Sequence, residues 1–273
     1  MNAADDCRPE SLLSGLADVL RNGAMVVEGR MPWSSNATFL VTLHPGEHPL
    51  PAAGGPADGN ADDGPDDGGF PPLPSGAVRG IYKPGKGERP LWDFPNGLFR
   101  REVAAYELSA WLGWDVIPRT VLRNGEYGKG SVQTFIDADF AKHYFTFLQD
   151  ESWHGQLRTM ATFDVLANNA DRKGGHVLLD AEGHLWGIDN GLCFHDEPKL
   201  RTVIWDFAGE SVPDELMADV ARLADADDRS LGPLVTLLDD TELGALRNRA
   251  HRLLGRGELP APRSDHAYPW PLV

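Results

Sequence analysis

The chain has 273 residues, of which 41 are Asp or Glu and 25 are Lys or Arg, so it carries a formal net charge of −16 at pH 7. A polyanion with no run of Lys and Arg repels nucleic-acid phosphate, which excludes a nucleic-acid partner, and an apolar content of 41% excludes a largely disordered chain. No stretch approaches the roughly 18 consecutive apolar residues that span a bilayer, and the opening MNAADDCRPE is acidic where a secretion signal is basic. The expectation is a cytoplasmic protein without stable membrane insertion. Cys7 and Cys193 are the only cysteines, too few for a disulfide framework, and read as fillers rather than catalysts.

Residues 11–21 place Leu12, Leu13, Leu16 and Leu20 on one helical face, with Ser11 available as N-cap. AMVVEGR and ATFLVTL predict two strands joined through the polar turn MPWSSN, a β-hairpin. From His44 to Gly76 the composition falls to Gly, Pro, Ala and Asp, which buries too little apolar surface to offset its ordering entropy. Its five aspartates between Asp58 and Asp67 lack the ligand spacing of a calcium loop, so a solvated insertion is expected. AVRGIYKP predicts a strand that stops at Pro84. Leu98 to Leu112 carries a broad apolar face and ends at Gly113, as a helix does. VIPRTVLR and SVQTFID predict two further strands. In the second half QLRTMATFDVLANNA reads as helix, HVLLD and LWGID as two short strands around AEGH, and helical patterns return from Asp214 to Leu254 before a proline-rich extended tail.

Three stretches hold polar residues for which a strand-and-loop core has no structural use. WSSNATF is a turn of small residues whose backbone N–H groups and hydroxyls can close over an anion, although ordinary turns have this composition too. Lys83 lies inside the strand GIYKP, where most lysines simply snorkel to water. In NNADRKGGHVLLD followed by LWGIDNGLCF, Asp171 occupies a loop after a helix and Asp189 ends an apolar strand. Two carboxylates delivered to one site in this way suit chemistry in which one orients a hydroxyl and the other holds Mg²⁺. Either aspartate alone is more often a turn former or a cap. The ordered set Lys83, Glu102, Asp171, His176 and Asp189 is the stronger signal.

As a set, from about Gly29 to Leu192, these motifs resemble the phosphatidylinositol 3-/4-kinase-like superfamily. They are closest to type II phosphatidylinositol 4-kinases and their small bacterial relatives, with HipA-type kinases more distant. WSSNATF resembles the phosphate loop, IYKP the strand of the nucleotide lysine, and RREVAAYELSAWLGWDVIPRT the helix of the paired glutamate with the strand after it. SVQTFID resembles the adenine linker, NADRKGGH the catalytic loop of pattern D-R-x-x-x-N, and IDNGL the metal-binding segment. The resemblance implies that Ser34, Ser35 and Asn36 cover the phosphates of ATP, that Lys83 contacts the α- or β-phosphate, and that Glu102 pairs with Lys83. Gln133, Thr134, Phe135 and Ile136 would receive adenine. Asp171 would orient or deprotonate the acceptor hydroxyl, Arg172 would brace the loop, Lys173 would neutralise the transferring phosphoryl group, and Asp189 would coordinate Mg²⁺ or Mn²⁺. The chain departs from the pattern at His176, where the family has Asn. Imidazole is a softer ligand, so His176 either shifts the site toward Mn²⁺ or only hydrogen-bonds the loop.

The resemblance implies an α+β, bilobal protein-kinase-like fold. Residues 1–137 form a small antiparallel β lobe with phosphate loop, lysine, glutamate and hinge, and residues 138–273 a larger, mainly helical lobe. The implied function is γ-phosphoryl transfer from ATP to a hydroxyl, with protein Ser or Thr as the expected acceptor. Inositol-lipid kinase and nucleotide-binding pseudokinase are the alternatives. Net charge favours the protein acceptor, because a lipid kinase works at an anionic surface. A local patch of Arg119, Arg123 and Lys129, or the tail YPWPLV, would argue the other way.

Overall fold

The structure is a computed structural model and describes residues 10–32, 34, 36–46 and 70–273. Cys7, Ser35 and positions 47–69 of the predicted insertion lie outside the described residues, as do the side chains of Ser11, Leu12 and Leu13. The chain divides into two compact units, Met1–Arg89 with Arg119–Phe135, and Pro90–Pro118 with Ile136–Val273.

The first unit is a five-stranded antiparallel sheet with one helix. Helix α1 (Glu10–Asn22) precedes β1 (Ala24–Arg30), β2 (Phe39–His44), β3 (Val78–Pro84), β4 (Thr120–Gly125) and β5 (Gly128–Thr134), and the strand order is β1-β2-β3-β5-β4. The predicted hairpin is present, with Met25 opposite Leu43 and a bulge between Val27 and Gly29. Strand alternation sends Tyr82 to one face, where Leu20, Val41, Leu43, Val121 and Val132 join it in an apolar core. The Arg123 guanidinium donates to the carbonyls of Leu20 and Gly23, both at 3.0 Å, and so caps the end of α1. In β4 pairing begins at Thr120 rather than at Val116, because Pro118 has no N–H to give a ladder.

The second unit is mainly helical. It comprises α2 (Leu98–Leu112), α3 (Tyr144–Phe147), α4 (His154–Ala167), the two-stranded ribbon β6 (Val177–Leu179) and β7 (Leu185–Gly187), then α5 (Asp214–Ala224), α6 (Leu234–Leu237) and α7 (Asp240–Arg256). Helix α2 occupies its predicted span and ends on Gly113 at φ 76°, which an L side chain adopts reluctantly. Helix α4 stops at Ala167, three residues short of the apolar pattern, because Asn168 turns left-handed at φ 53°. Asn168 secures that turn: its side chain donates to the carbonyls of His195 and Glu197 and accepts from the N–H of Lys199. The predicted helical stretch from Asp214 resolves into three helices, the last with a capping box of Asp239 and Glu242. Among the described residues, no helix is long and apolar enough to cross a membrane.

Candidate active site

In the first unit, Lys83 is half-buried on β3 opposite Ser131 of β5, with its side chain on the face away from Tyr82. The same register pairs Ile81 with Gln133, so Lys83 and Gln133 share a face. Gln133 is buried and its Nε2 donates to Thr120 Oγ1 at 3.0 Å. Thr134 donates from its backbone and its hydroxyl to the Arg119 carbonyl, and the Phe135 N–H donates to the Arg79 carbonyl at 3.1 Å. The Phe135 ring meets Phe70 edge-on. Ser34 is half-buried, and Asn36 accepts the Arg89 N–H on its Oδ1 at 2.9 Å. The backbone beside Asn36 lies so close to Gly87 that a Cβ there would stand 2.4 Å from that of Ala37. A glycine at 87 is therefore a steric requirement of this turn. Ile136 opens the second unit's longer segment, and Glu102 also belongs to the second unit, on α2.

In the second unit the loop between α4 and β6 is held from beneath by a buried ionic network. Arg172 is completely buried, and its Nε and Nη2 reach Asp164 of α4 at 2.9–3.2 Å, which is equally buried. Its Nη2 also donates to Asn190 Oδ1 at 2.7 Å and its Nη1 to the Ile188 carbonyl at 2.8 Å. Burial opposes the charge of Arg172, and the Asp164 carboxylate overrides it and keeps the guanidinium above its ordinary value. Asn169 and Thr202 donate to the remaining positions on Asp164. Gly187 supplies a flat floor, since a Cβ there would stand 3.1 Å from Arg172 Nη2. The Asn190 N–H donates to Glu102 Oε2 at 2.9 Å, which ties α2 to the segment carrying Asp189.

On this platform Asp171 stands with its side chain 27% exposed, its N–H bonded to Asn169 Oδ1 and its Oδ2 3.4 Å from Lys173 Nζ. Burial raises its carboxyl to about 6, with Lys173 opposing and Asp189 adding to the rise. Such a carboxylate is still ionised at neutral pH yet basic enough to take a proton. Asp189 follows β7 in the left-handed region at φ 57°, with 54% of its side chain exposed. His176 Nε2 lies 3.6 Å from Asp189 Oδ2. Its Nδ1 accepts the Lys173 N–H at 3.4 Å, which assigns the ring proton to Nε2, on the side of Asp189. The tail returns to the same loop, where the Gly174 N–H donates to the Leu272 carbonyl at 2.7 Å. Cys193 is buried and its thiol raised by burial, so it offers no nucleophile.

Among the described residues, no group of three or more His, Cys, Asp or Glu converges to hold a metal unaided. An exposed carboxylate with the oxygens of a bound phosphate group is nevertheless a normal environment for Mg²⁺ or Mn²⁺, and Asp189 fits that part. Sequence reasoning missed Asp164, Asn169, Asn190 and Thr202. The available signal was Asp164 itself, a carboxylate at a buried position of the apolar pattern MATFDVLA, where an unpaired charge is not tolerated.

Taken with the sheet unit, this arrangement places the chain among kinase-like α+β folds. The crystal structure of the Golgi casein kinase with Mn/ADP bound superposes with a TM-score of 0.52 at 12% identity, over 97% of this chain and 81% of that one. A second crystal structure of the Golgi casein kinase gives 0.50 at 12% identity, over 91% and 76%. No family model matches the chain. Protein Rv2133c of Mycobacterium tuberculosis is 38% identical over 291 residues, covering 93% of this chain and 94% of that protein. The chain belongs to the same family as Protein Rv2133c.

Proposed function

We propose that the chain is an ATP-dependent kinase of the phosphatidylinositol 3-/4-kinase-like type, with the hydroxyl of a protein Ser or Thr as its acceptor. The observation that carries this reading is Asp171, a raised carboxyl next to a lysine on a loop whose other side is fixed by the buried Arg172–Asp164 pair. Asp171 accepts the acceptor proton as the new P–O bond forms and the bond to the departing ADP oxygen breaks. Lys173 offsets charge on the transferring group. Arg172 does not touch substrate but sets the height and direction of the loop. Lys83 is assigned to the nucleotide phosphates and Glu102 to holding Lys83, while the backbone from Gln133 to Ile136 is assigned to adenine and Ser34, Ser35 and Asn36 to the phosphate turn. Asp189 would hold Mg²⁺ or Mn²⁺, which would supply positive charge to offset that of the phosphates. His176, with Nε2 3.6 Å from Asp189 Oδ2, is assigned to orienting that carboxylate.

Selection of a protein over a lipid acceptor rests on charge, since a chain at −16 is repelled by anionic bilayers. The test is incubation with γ-labelled ATP and either metal, alone, with lysate protein, and with phosphatidylinositol vesicles. Label on protein Ser or Thr is expected. Label on lipid alone would overturn the acceptor, and no turnover with ATP binding intact would leave a nucleotide-binding module.

A further inference from the structure

A cavity of about 470 Å³ in the helical unit has no part in the site described above. Six permanent cations line it, Lys199, Arg201, Arg249, Arg252, Arg256 and Arg263, against two carboxylates, Asp196 and Glu197. In a chain of net charge −16 such a concentration runs against the average. Of the two acids, Glu197 already has a cationic neighbour in Lys199 at 3.6 Å. Among the described residues, Arg201, Arg252, Arg256 and Arg263 have no carboxylate partner.

Helix α7 supplies half of the cations, since Arg249, Arg252 and Arg256 recur at intervals of three and four and share a face. Like charges at those spacings weaken a helix. The helix dipole accounts for Arg256 in the last turn, but not for Arg249, nor for Arg201 and Arg263 on other segments. Arg249 is the decisive residue. Its Nε donates to the Leu166 carbonyl and its Nη1 to the His195 carbonyl, while its Nη2 is buried with no hydrogen-bond partner. A buried guanidinium nitrogen left unmatched costs free energy unless an acceptor arrives. Burial, with the like charge of Arg252, pulls Arg249 down to about 10, so it remains a cation at neutral pH.

We infer that this cavity binds a small organic molecule bearing phosphate groups. Several guanidinium groups can share one phosphate, whose oxygens accept fork-like pairs of N–H bonds. The three arginines of α7 spread over about 10 Å of helix, which suits two anionic groups better than one. Val165, Leu200, Trp205, Leu253, Pro260 and Ala261 also line it and suit an apolar body between the anionic groups.

Inorganic pyrophosphate serves as the probe, titrated calorimetrically into the full chain with EDTA present and nucleotide absent, so the result is independent of the kinase reading. Saturable binding is expected. Arg252→Ala combined with Arg256→Ala, both at exposed positions, should weaken it at least about tenfold without changing the melting temperature appreciably. Lys83→Ala should leave it unchanged. No saturable binding, equal affinity in the double arginine variant, or loss in Lys83→Ala would each overturn the inference. Sedimentation with phosphatidylcholine vesicles containing phosphatidic acid, undiminished by excess pyrophosphate, would replace the small molecule with a membrane and overturn it as well.

Discussion

Two regions, the core under the sheet of the first unit and the support under the site loop of the second, are held by opposite means. Beneath the sheet of the first, Leu20, Val41, Leu43, Tyr82, Val121 and Val132 form an apolar cluster, five of them wholly aliphatic, that any well-packed hydrophobic set of the same volume could replace. Beneath the loop of the second, Asp164, Asn169, Arg172, Asn190 and Thr202 form a polar cluster, each no more than 3% exposed. An apolar core tolerates a lost methyl at the cost of a cavity, whereas a charged one loses its balance when one partner goes. The lesson is that the second unit spends a costly kind of interaction where a loop has to be aimed, and the first does not.

Removing one charge should therefore have the largest effect on stability. Asp164→Ala strands Arg172 in the interior and should destabilise the fold by about 3–5 kcal/mol in chemical denaturation. Combining Asp164→Leu with Arg172→Met should recover more than half of that loss while phosphoryl transfer stays abolished, which separates aiming from holding. Leu43→Ala, in the apolar cluster, should cost about 2–4 kcal/mol, with residual transfer scaling only with the folded fraction. A larger loss of activity per folded molecule in Leu43→Ala than in Asp164→Ala would reverse the comparison.

The contrast also explains what was legible in the sequence. Strand patterns mark β1, β2 and β3 within a residue or two, β5 lies three residues earlier than SVQTFID predicts, and the 98–112 periodicity with its terminal glycine marks α2. The pair Asp171 and Asp189 stands out because a motif surrounds it. The support beneath the pair was not legible, because Asp164 hides in a helix pattern and Asn190 reads as a turn residue. Nothing in the sequence spacing joins them to Arg172. The end of α4 was missed for a related reason: Asn168 leaves the helix for hydrogen bonds to residues 195–199, which are remote in sequence. The four-residue α3 carries too short a period to register.

The pH profile gives a smaller but sharper test of the site. With Asp171 raised to about 6, transfer should fall as pH drops through about 6, approaching tenfold per unit below it, because the protonated carboxyl cannot accept the hydroxyl proton. Stability runs the other way. A carboxyl whose folded-state value exceeds its ordinary 3.8 helps the fold most below 3.8, and that help is lost as pH rises through about 6. The smallest effect is expected at His176, where His176→Asn should leave the ratio of Mn²⁺- to Mg²⁺-supported activity within about twofold if the imidazole orients Asp189 and does not ligate. A shift of that ratio toward Mg²⁺ in the variant would make the imidazole a ligand instead.

The most direct measurement of whether Asp171 accepts the hydroxyl proton is Asp171→Asn assayed for ATP affinity, transfer and melting together at pH 7. Affinity should be retained within a few-fold, transfer should fall by at least about a hundredfold, and the melting temperature should rise because a neutral amide escapes the burial penalty of the carboxylate. Equal transfer in wild type and Asp171→Asn would contradict that role.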